Sequence, residues 1–127
     1  MKKALFFFTV AICLAACSKD YLPSPEVGTW ELRNLSPGWG IPQNFATGNG
    51  NKYQFFNKGT YQKYTENKVV NQGDYRISIT GSYNGYNNGT IIFTNPEYQD
   101  AFAIKGDTIL IGTSVADGPT YTYVRIK

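Results

Sequence analysis

The side chains that most often perform catalysis are scarce in this 127-residue chain. It contains no histidine, and a serine or cysteine nucleophile usually needs histidine as its general base. The common zinc sites depend on histidine or on clustered cysteines. Paired carboxylates can hydrolyse glycosidic bonds, and Glu97 and Asp100 lie close together in the sequence. Because the sequence identifies no further acid as their partner, we interpret them as solvated loop residues and expect no enzyme, metal site or cofactor.

The segment Gly48-Asn49-Gly50 is rich in glycine, as phosphate-binding loops are. A loop of that kind also needs a lysine at the right spacing and a following helix whose N-terminus faces the phosphate. Neither accompanies this segment, so the sequence predicts no nucleotide site here.

Cys17 ends a three-part N-terminal segment. Met1 to Lys3 carries positive charge, and Ala4 to Ile12 is apolar apart from Thr9. This order is typical of a secretory signal, and the apolar stretch is shorter than the roughly 20 residues that a membrane-spanning helix needs. Leu14-Ala15-Ala16-Cys17 resembles the bacterial lipobox. That resemblance implies that the cysteine thiol receives a diacylglycerol, that the signal is cleaved before it, and that the new amine is acylated.

Cleavage before Cys17 removes 16 of the 127 residues and leaves a mature chain of 111. Lys2 and Lys3 leave with the signal, so the formal net charge falls from +3 to about +1, which implies no nucleic-acid partner. The same resemblance implies that Cys13 leaves as well and that Cys17 is acylated. The sequence therefore predicts no disulfide within the mature chain.

These boundaries divide the chain into a signal over 1–16, a tether over 17–26 and one domain over 27–127. The tether is polar and contains prolines, which is typical of an extended spacer. The resemblance to lipoproteins also indicates the destination, because Ser18 stands where inner-membrane retention in enteric bacteria uses aspartate. We expect an outer-membrane protein, anchored by acyl chains on the periplasmic face or at the cell surface.

The domain is expected to be all-β, because aromatic residues, glycine and asparagine are abundant and no sustained helical period occurs. Short links between its strands favour an antiparallel up-and-down meander. Closure into a barrel of about eight strands removes the exposed edges, and a β-sandwich is the alternative. We also predict a bulge at Gly73 and long connections over 36–51 and 81–89. Alternation of apolar and polar residues predicts strands over 29–35, 52–57, 60–66, 69–80, 90–94, 101–105, 108–112 and 121–126.

Two short motifs at the ends of this domain resemble the lipocalin and calycin group. Gly28-Thr29-Trp30 looks like the group's Gly-x-Trp, and Arg125 looks like its C-terminal arginine. The resemblance implies that the arginine packs over the tryptophan and closes the end of the barrel, as a guanidinium is attracted to an indole face. Over nearly all of 27–127 the chain is similar to small lipocalin-like lipoproteins of Bacteroidetes-type bacteria. The sequence leaves open whether Tyr123 or Val124 faces inward on the last strand.

Small barrels bind ligands at their mouths, where long loops form the rim, although side chains can also fill an eight-stranded barrel completely. Trp39, Ile41 and Phe45 lie in the first long connection, where they could line an apolar entrance or plug the barrel. Tyr83 and Tyr86 lie in the second, where they could stack on sugar rings or simply form a turn.

The leading hypothesis is a monomeric, non-enzymatic envelope lipoprotein that binds a small apolar or amphipathic ligand. One alternative is a module that binds an envelope protein or glycan through these loops and has no internal cavity. The other is a purely structural envelope protein.

Overall fold

The computed structural model describes residues 24–112 and 118–127. The predicted signal, Cys17 and most of the predicted tether lie outside these residues. The described residues contain no helix, and therefore none long and apolar enough to cross a membrane. Their strands are β1 (Gly28–Ser36), β2 (Gln43–Asn44), β3 (Lys52–Phe55), β4 (Thr60–Thr65), β5 (Lys68–Tyr83), β6 (Tyr86–Phe93), β7 (Tyr98–Lys105), β8 (Thr108–Ile111) and β9 (Thr120–Arg125).

All strands except β2 form a closed antiparallel barrel. From β3 to β9 each strand pairs with the next in the chain, and β1 pairs with both β3 and β9. Trp30 lies opposite Tyr53 on one side and opposite Arg125 on the other. The short β2 pairs with the end of β1, where Asn44 lies opposite Asn34. The prediction of an all-β meander of about eight strands, closed into a barrel, is confirmed.

The two ends of the barrel carry different connections. We call the end where β1 begins, at Gly28, the lower end. It carries the turns over 56–59, 84–85 and 106–107 and the C-terminus. The upper end, where β1 finishes, carries the first connection (residues 37–51), the turn over 66–67 and the connection over 94–97.

Alternate residues of each strand point into the barrel and fill its middle. On β9 Tyr123 is buried whereas Val124 is only half-buried, so the face of Tyr123 is the inward one. Burying side chains of this size contributes roughly 1.5–3 kcal/mol each. The buried hydrophobic residues are Trp30, Leu32, Tyr53, Phe55, Tyr61, Ile91, Phe93, Phe102, Ile104, Ile109, Ile111 and Tyr123.

The second predicted long connection is a hairpin. The ladder between β5 and β6 continues until Tyr83 lies opposite Tyr86. Asn84 and Gly85 form the turn, and their φ angles of 54° and 83° are both positive, as a type I′ turn requires. Asparagine followed by glycine is the strongest short hairpin signal, so the prediction of a loop over 81–89 was wrong for a reason present in the sequence.

The predicted bulge at Gly73 was also wrong. Gly73 lies in regular register opposite Tyr61, and the extra residue of β5 is Val70. A Cβ atom at Gly73 would lie 2.8 Å from the carbonyl oxygen of Thr94. The glycine is therefore explained by the close approach of the connection between β6 and β7.

Candidate functional site

An open cleft of about 360 Å³ lies at the lower end of the barrel. Its apolar wall comes from β5 and β7, through Ile77, Phe102 and Ile104. The chain segment 24–27 crosses the opposite side. The volume falls in the range typical of small-molecule sites, roughly 300–1,000 Å³.

The rim of this cleft is polar. The Tyr75 hydroxyl donates a hydrogen bond to Glu26 Oε2 over 2.6 Å, which ties segment 24–27 to β5. Burial and this hydrogen bond raise the pKa of Tyr75 above its ordinary value, so the phenol stays a neutral donor. Asn87 of β6 adds an amide to the lining. An apolar wall with a polar rim suits an amphipathic small molecule.

Ile79 lies at the open edge of the cleft, where 47% of it is exposed. It is paired with Gly89 of β6, and the register shifts directly after it because Thr80 is an extra residue. A Cβ atom at Gly89 would overlap the carbonyl oxygen of Ser78. Glycine at this position therefore lets the two strands approach closely beside the cleft.

Arg125 closes the lower end beside the cleft. Its guanidinium carbon lies 4.4 Å from the centre of the Trp30 ring, a cation–π contact. The guanidinium also donates to the carbonyl oxygens of Val27 over 2.8 Å and Pro25 over 2.7 Å. Its Nε donates to Asp107 Oδ1 over 2.9 Å. Arg125 thus joins the last strand to the segment that crosses the cleft.

Gly28 and Trp30 contribute to the same closure. A Cβ atom at Gly28 would lie 2.6 Å from Nη1 of Arg125, and its φ of +142° disfavours other residue types. The Trp30 indole donates to the carbonyl oxygen of Glu26 over 2.8 Å. The three residues that carry the lipocalin resemblance therefore meet at one place and hold one side of the cleft.

The structure separates the three apolar residues of the first connection. Trp39 is 81% exposed and Ile41 is 88% exposed, and both lie toward the upper end, away from the cleft. Phe45 packs against the core, and its amide donates to the carbonyl oxygen of Arg33 over 2.9 Å. The first connection thus presents an exposed apolar pair at the end opposite the cleft.

Tyr83 and Tyr86 lie at the tip of the hairpin between β5 and β6. Tyr83 is 72% exposed, and Lys105 Nζ lies 5.4 Å from the centre of the Tyr86 ring. Because Asn87 lines the cleft and neighbouring residues of a strand face opposite ways, Tyr86 faces the outside. Both tyrosines belong to the lower end without lining the cleft.

Sequence reasoning missed Glu31, which is only 3% exposed. Its Oε1 accepts hydrogen bonds from the Gly48 amide over 3.0 Å and from Arg33 over 2.9 Å. Its Oε2 accepts a longer bond, 3.4 Å, from the Gly50 amide. Burial acts to raise the pKa of Glu31, but these hydrogen bonds, led by that from Gly48, outweigh it and the pKa is lowered. The segment Gly48-Asn49-Gly50 thus binds the protein's own Glu31 carboxylate.

The two acids considered for catalysis lie in or beside the connection over 94–97. Glu97 is exposed, whereas Asp100 is half-buried on β7. The Tyr98 hydroxyl donates to Asp100 Oδ2 over 2.7 Å, and this bond, aided by burial, raises the pKa of Tyr98 to about 12. In the part of the chain that the structure describes, no cluster of three or more acidic or cysteine side chains could hold a metal ion.

A smaller cavity of about 140 Å³ opens toward the upper end among the rings of Tyr53, Tyr61 and Tyr98. Lys63 lies at its edge, with Nζ 5.4 Å from the centre of the Tyr53 ring. Burial lowers the pKa of this amine. The volume is below the range typical of ligand sites, so the lower cleft is the better candidate.

The closed antiparallel barrel is compatible with a lipocalin-like fold. No known protein family, curated protein or solved structure matches the chain. The function is therefore inferred from the cleft and the residues around it.

Proposed function

We propose that this chain is a non-enzymatic lipoprotein of the bacterial outer membrane, anchored through Cys17, whose lipocalin-like barrel binds a small apolar or amphipathic ligand. The observation that carries the proposal is the open cleft of about 360 Å³ at the lower end. Its apolar wall suits an alkyl chain or a fused-ring skeleton. Its rim, at Glu26 and Tyr75, suits a polar group.

Side chains fill the middle of the barrel, so the ligand occupies the end and not the centre. About eight methylene groups buried on the wall would contribute about 6 kcal/mol, at roughly 0.8 kcal/mol each. A binding free energy of that size corresponds to a Kd of tens of micromolar. The expected ligand is therefore a medium-length amphipathic molecule held at moderate affinity.

Titration with an anthroyloxy-labelled fatty acid tests this proposal, using Cys17→Ser protein that lacks residues 1–16. We expect saturable binding that Ile79→Asn weakens about fivefold, because the substitution places an amide at the apolar edge of the cleft. The matched control is Val69→Asn, which changes a 45% exposed residue of the same strand away from the cleft. Absence of saturable binding, or equal affinity of the two variants, would contradict the proposal.

A second candidate function is interaction with another envelope protein through the upper end. The observation that favours it is the high exposure of both Trp39 and Ile41 in one short connection, since exposed apolar patches mark interaction sites. Affinity capture from envelope extracts should lose a specific partner with Trp39→Ser/Ile41→Ser but keep it with Tyr83→Ser/Tyr86→Ser. Identical captured proteins from all forms would count against this candidate.

A further inference from the structure

We infer that the lower end of the barrel is a phospholipid-contacting surface, and that the cleft consequently opens toward the membrane. The inference rests on the proposed function, because it requires that Cys17 carry the acyl anchor.

The length of the tether limits where the barrel can lie. Seven peptide units separate Cys17 from Ser24, so the two residues are at most about 25 Å apart at roughly 3.3–3.6 Å per residue. Ser24 lines the lower cleft. The lower end is therefore held within about 25 Å of the anchor.

Because of the height of the barrel, contact with the membrane is less favourable through the upper end than through the lower end. The nine residues of β1 span about 27 Å along the strand, or about 20 Å along a barrel axis tilted by roughly 35–45° from the strands. To place the upper end on the membrane, the tether would have to run nearly fully extended along the side of the barrel. Contact through the lower end needs no such extension.

The lower end also presents side chains suited to a lipid interface. Tyr83 and Tyr86 stand at the tip of the hairpin between β5 and β6, with Tyr83 mostly exposed and Lys105 beside the Tyr86 ring. Tyrosine is enriched where membrane meets water, because its ring is apolar and its hydroxyl is polar. The exposed side of Ile79 adds apolar surface next to the cleft.

The charged groups at this end favour an anionic surface. Lys58 lies in the turn between β3 and β4, Lys105 ends β7, and Lys127 ends the chain. Asp107 is paired with Arg125 over 2.9 Å, so these two charges cancel. Glu26 on the rim of the cleft then opposes the three lysines with one negative charge. Lysine side chains near a membrane surface are attracted to anionic headgroups.

The consequence concerns how a ligand enters. With the lower end on the membrane, an amphipathic molecule passes between the lipid layer and the apolar wall without crossing bulk water. The exposed pair Trp39 and Ile41 then points away from the membrane.

Fluorescence quenching in vesicles tests this orientation with the full acylated protein. The vesicles contain phosphatidylcholine and phosphatidylglycerol in equal parts, with nitroxide-labelled lipid as the quencher. Cys17 is the only cysteine of the mature protein, and acylation converts its thiol to a thioether, so one introduced cysteine is a unique labelling site. Ser82→Cys at the lower end and Thr47→Cys at the upper end are matched, since both positions are exposed hydroxyl residues.

We expect at least twofold stronger quenching of the label at Ser82→Cys than of the label at Thr47→Cys. Protein that does not float with the vesicles would overturn both the anchor and this inference. Protein that floats but shows equal quenching, or stronger quenching at Thr47→Cys, would overturn the orientation alone, and ligand titration of the soluble form would still decide the proposed function.

Surface variants test whether the lower end contacts the membrane or only lies near it. Tyr83→Ser/Tyr86→Ser should reduce quenching of the Ser82→Cys label while flotation is kept. The control Trp39→Ser/Ile41→Ser should leave that quenching unchanged. If only the control variant reduces quenching, the lower end is not the contacting surface.

Discussion

Replacing Glu31 with glutamine tests whether one buried carboxylate fastens the first connection to the barrel. Glutamine nearly preserves the shape of the side chain but removes its charge, and it turns one acceptor oxygen into a donor. The bonds from Gly48 and Arg33, of 3.0 and 2.9 Å, are strong charge-assisted bonds, whereas the 3.4 Å bond from Gly50 is weak. At roughly 1.5–3 kcal/mol for a hydrogen bond to a charged group, we expect a loss of about 3 kcal/mol in unfolding free energy.

The pH dependence of the unfolding free energy tests the role of Glu31 in a second way. The pKa of Glu31 in the folded protein lies below the value of 4.5 taken for a free glutamate. Its stabilising contribution is therefore fully present above about pH 4.5, and it is lost as the pH falls below 4.5 through the folded-state pKa. We expect the unfolding free energy, measured with urea from neutral pH down to about pH 3, to fall less in Glu31→Gln than in the wild-type protein.

The matched control is Glu97→Gln, which makes the same change at an exposed position. We expect it to change the unfolding free energy by less than about 0.5 kcal/mol. Equal effects of the two substitutions at neutral pH, or the same acid-induced loss in Glu31→Gln as in the wild-type protein, would refute the role assigned to this carboxylate.

Three further substitutions probe the lower end. Arg125→Met should lower the unfolding free energy, measured with urea, by about 2 kcal/mol. The substitution keeps the length of the side chain but loses the cation–π contact and the charge-assisted bonds. Unchanged stability would show that Arg125 does not hold the lower end of the barrel closed. Gly89→Ala should lower it by more than about 3 kcal/mol, or prevent folding by circular dichroism, because the methyl group meets the carbonyl oxygen of Ser78; a native-like melting temperature would contradict this. Tyr75→Phe should speed hydrogen exchange in segment 24–27, measured by mass spectrometry, with a stability loss of about 1 kcal/mol; unchanged exchange would show that the bond does not hold the segment.

The barrel could be predicted from the sequence because the pattern that indicates each strand lies within the strand itself. A strand with one buried face alternates apolar and polar residues, and each barrel strand of the structure corresponds to one predicted run. The short β2 has no such alternation, since its residues Gln43 and Asn44 are both exposed. It forms because the first connection folds back along β1, which no local pattern reveals.

The candidate site could not be predicted, because it depends on contacts between distant parts of the chain. Glu26 and Tyr75 are 49 residues apart, and they meet because segment 24–27 crosses the lower end of the closed barrel. Residues 24–26 were interpreted as tether because they are polar and rich in proline. Glu31 likewise alternates with the apolar Trp30 and Leu32, as a solvent-facing residue would. Its hydrogen bonds from the Gly48 and Gly50 amides come from a distant part of the chain.

Segment 24–27 follows directly on the chain that leads from Cys17, and it also forms one wall of the cleft. Its contacts show whether the tether or the barrel determines its position. The Arg125 guanidinium holds two of its carbonyl oxygens, the Trp30 indole holds a third, and Tyr75 holds the Glu26 side chain. The barrel therefore fixes this wall, and the chain before Ser24 can change without changing the cleft. Insertion of a short glycine–serine stretch before Ser24 should leave the Kd for the fatty-acid probe unchanged in the soluble form, whereas Arg125→Met should raise it several-fold. A Kd that follows tether length instead would show that the chain before Ser24 controls the cleft.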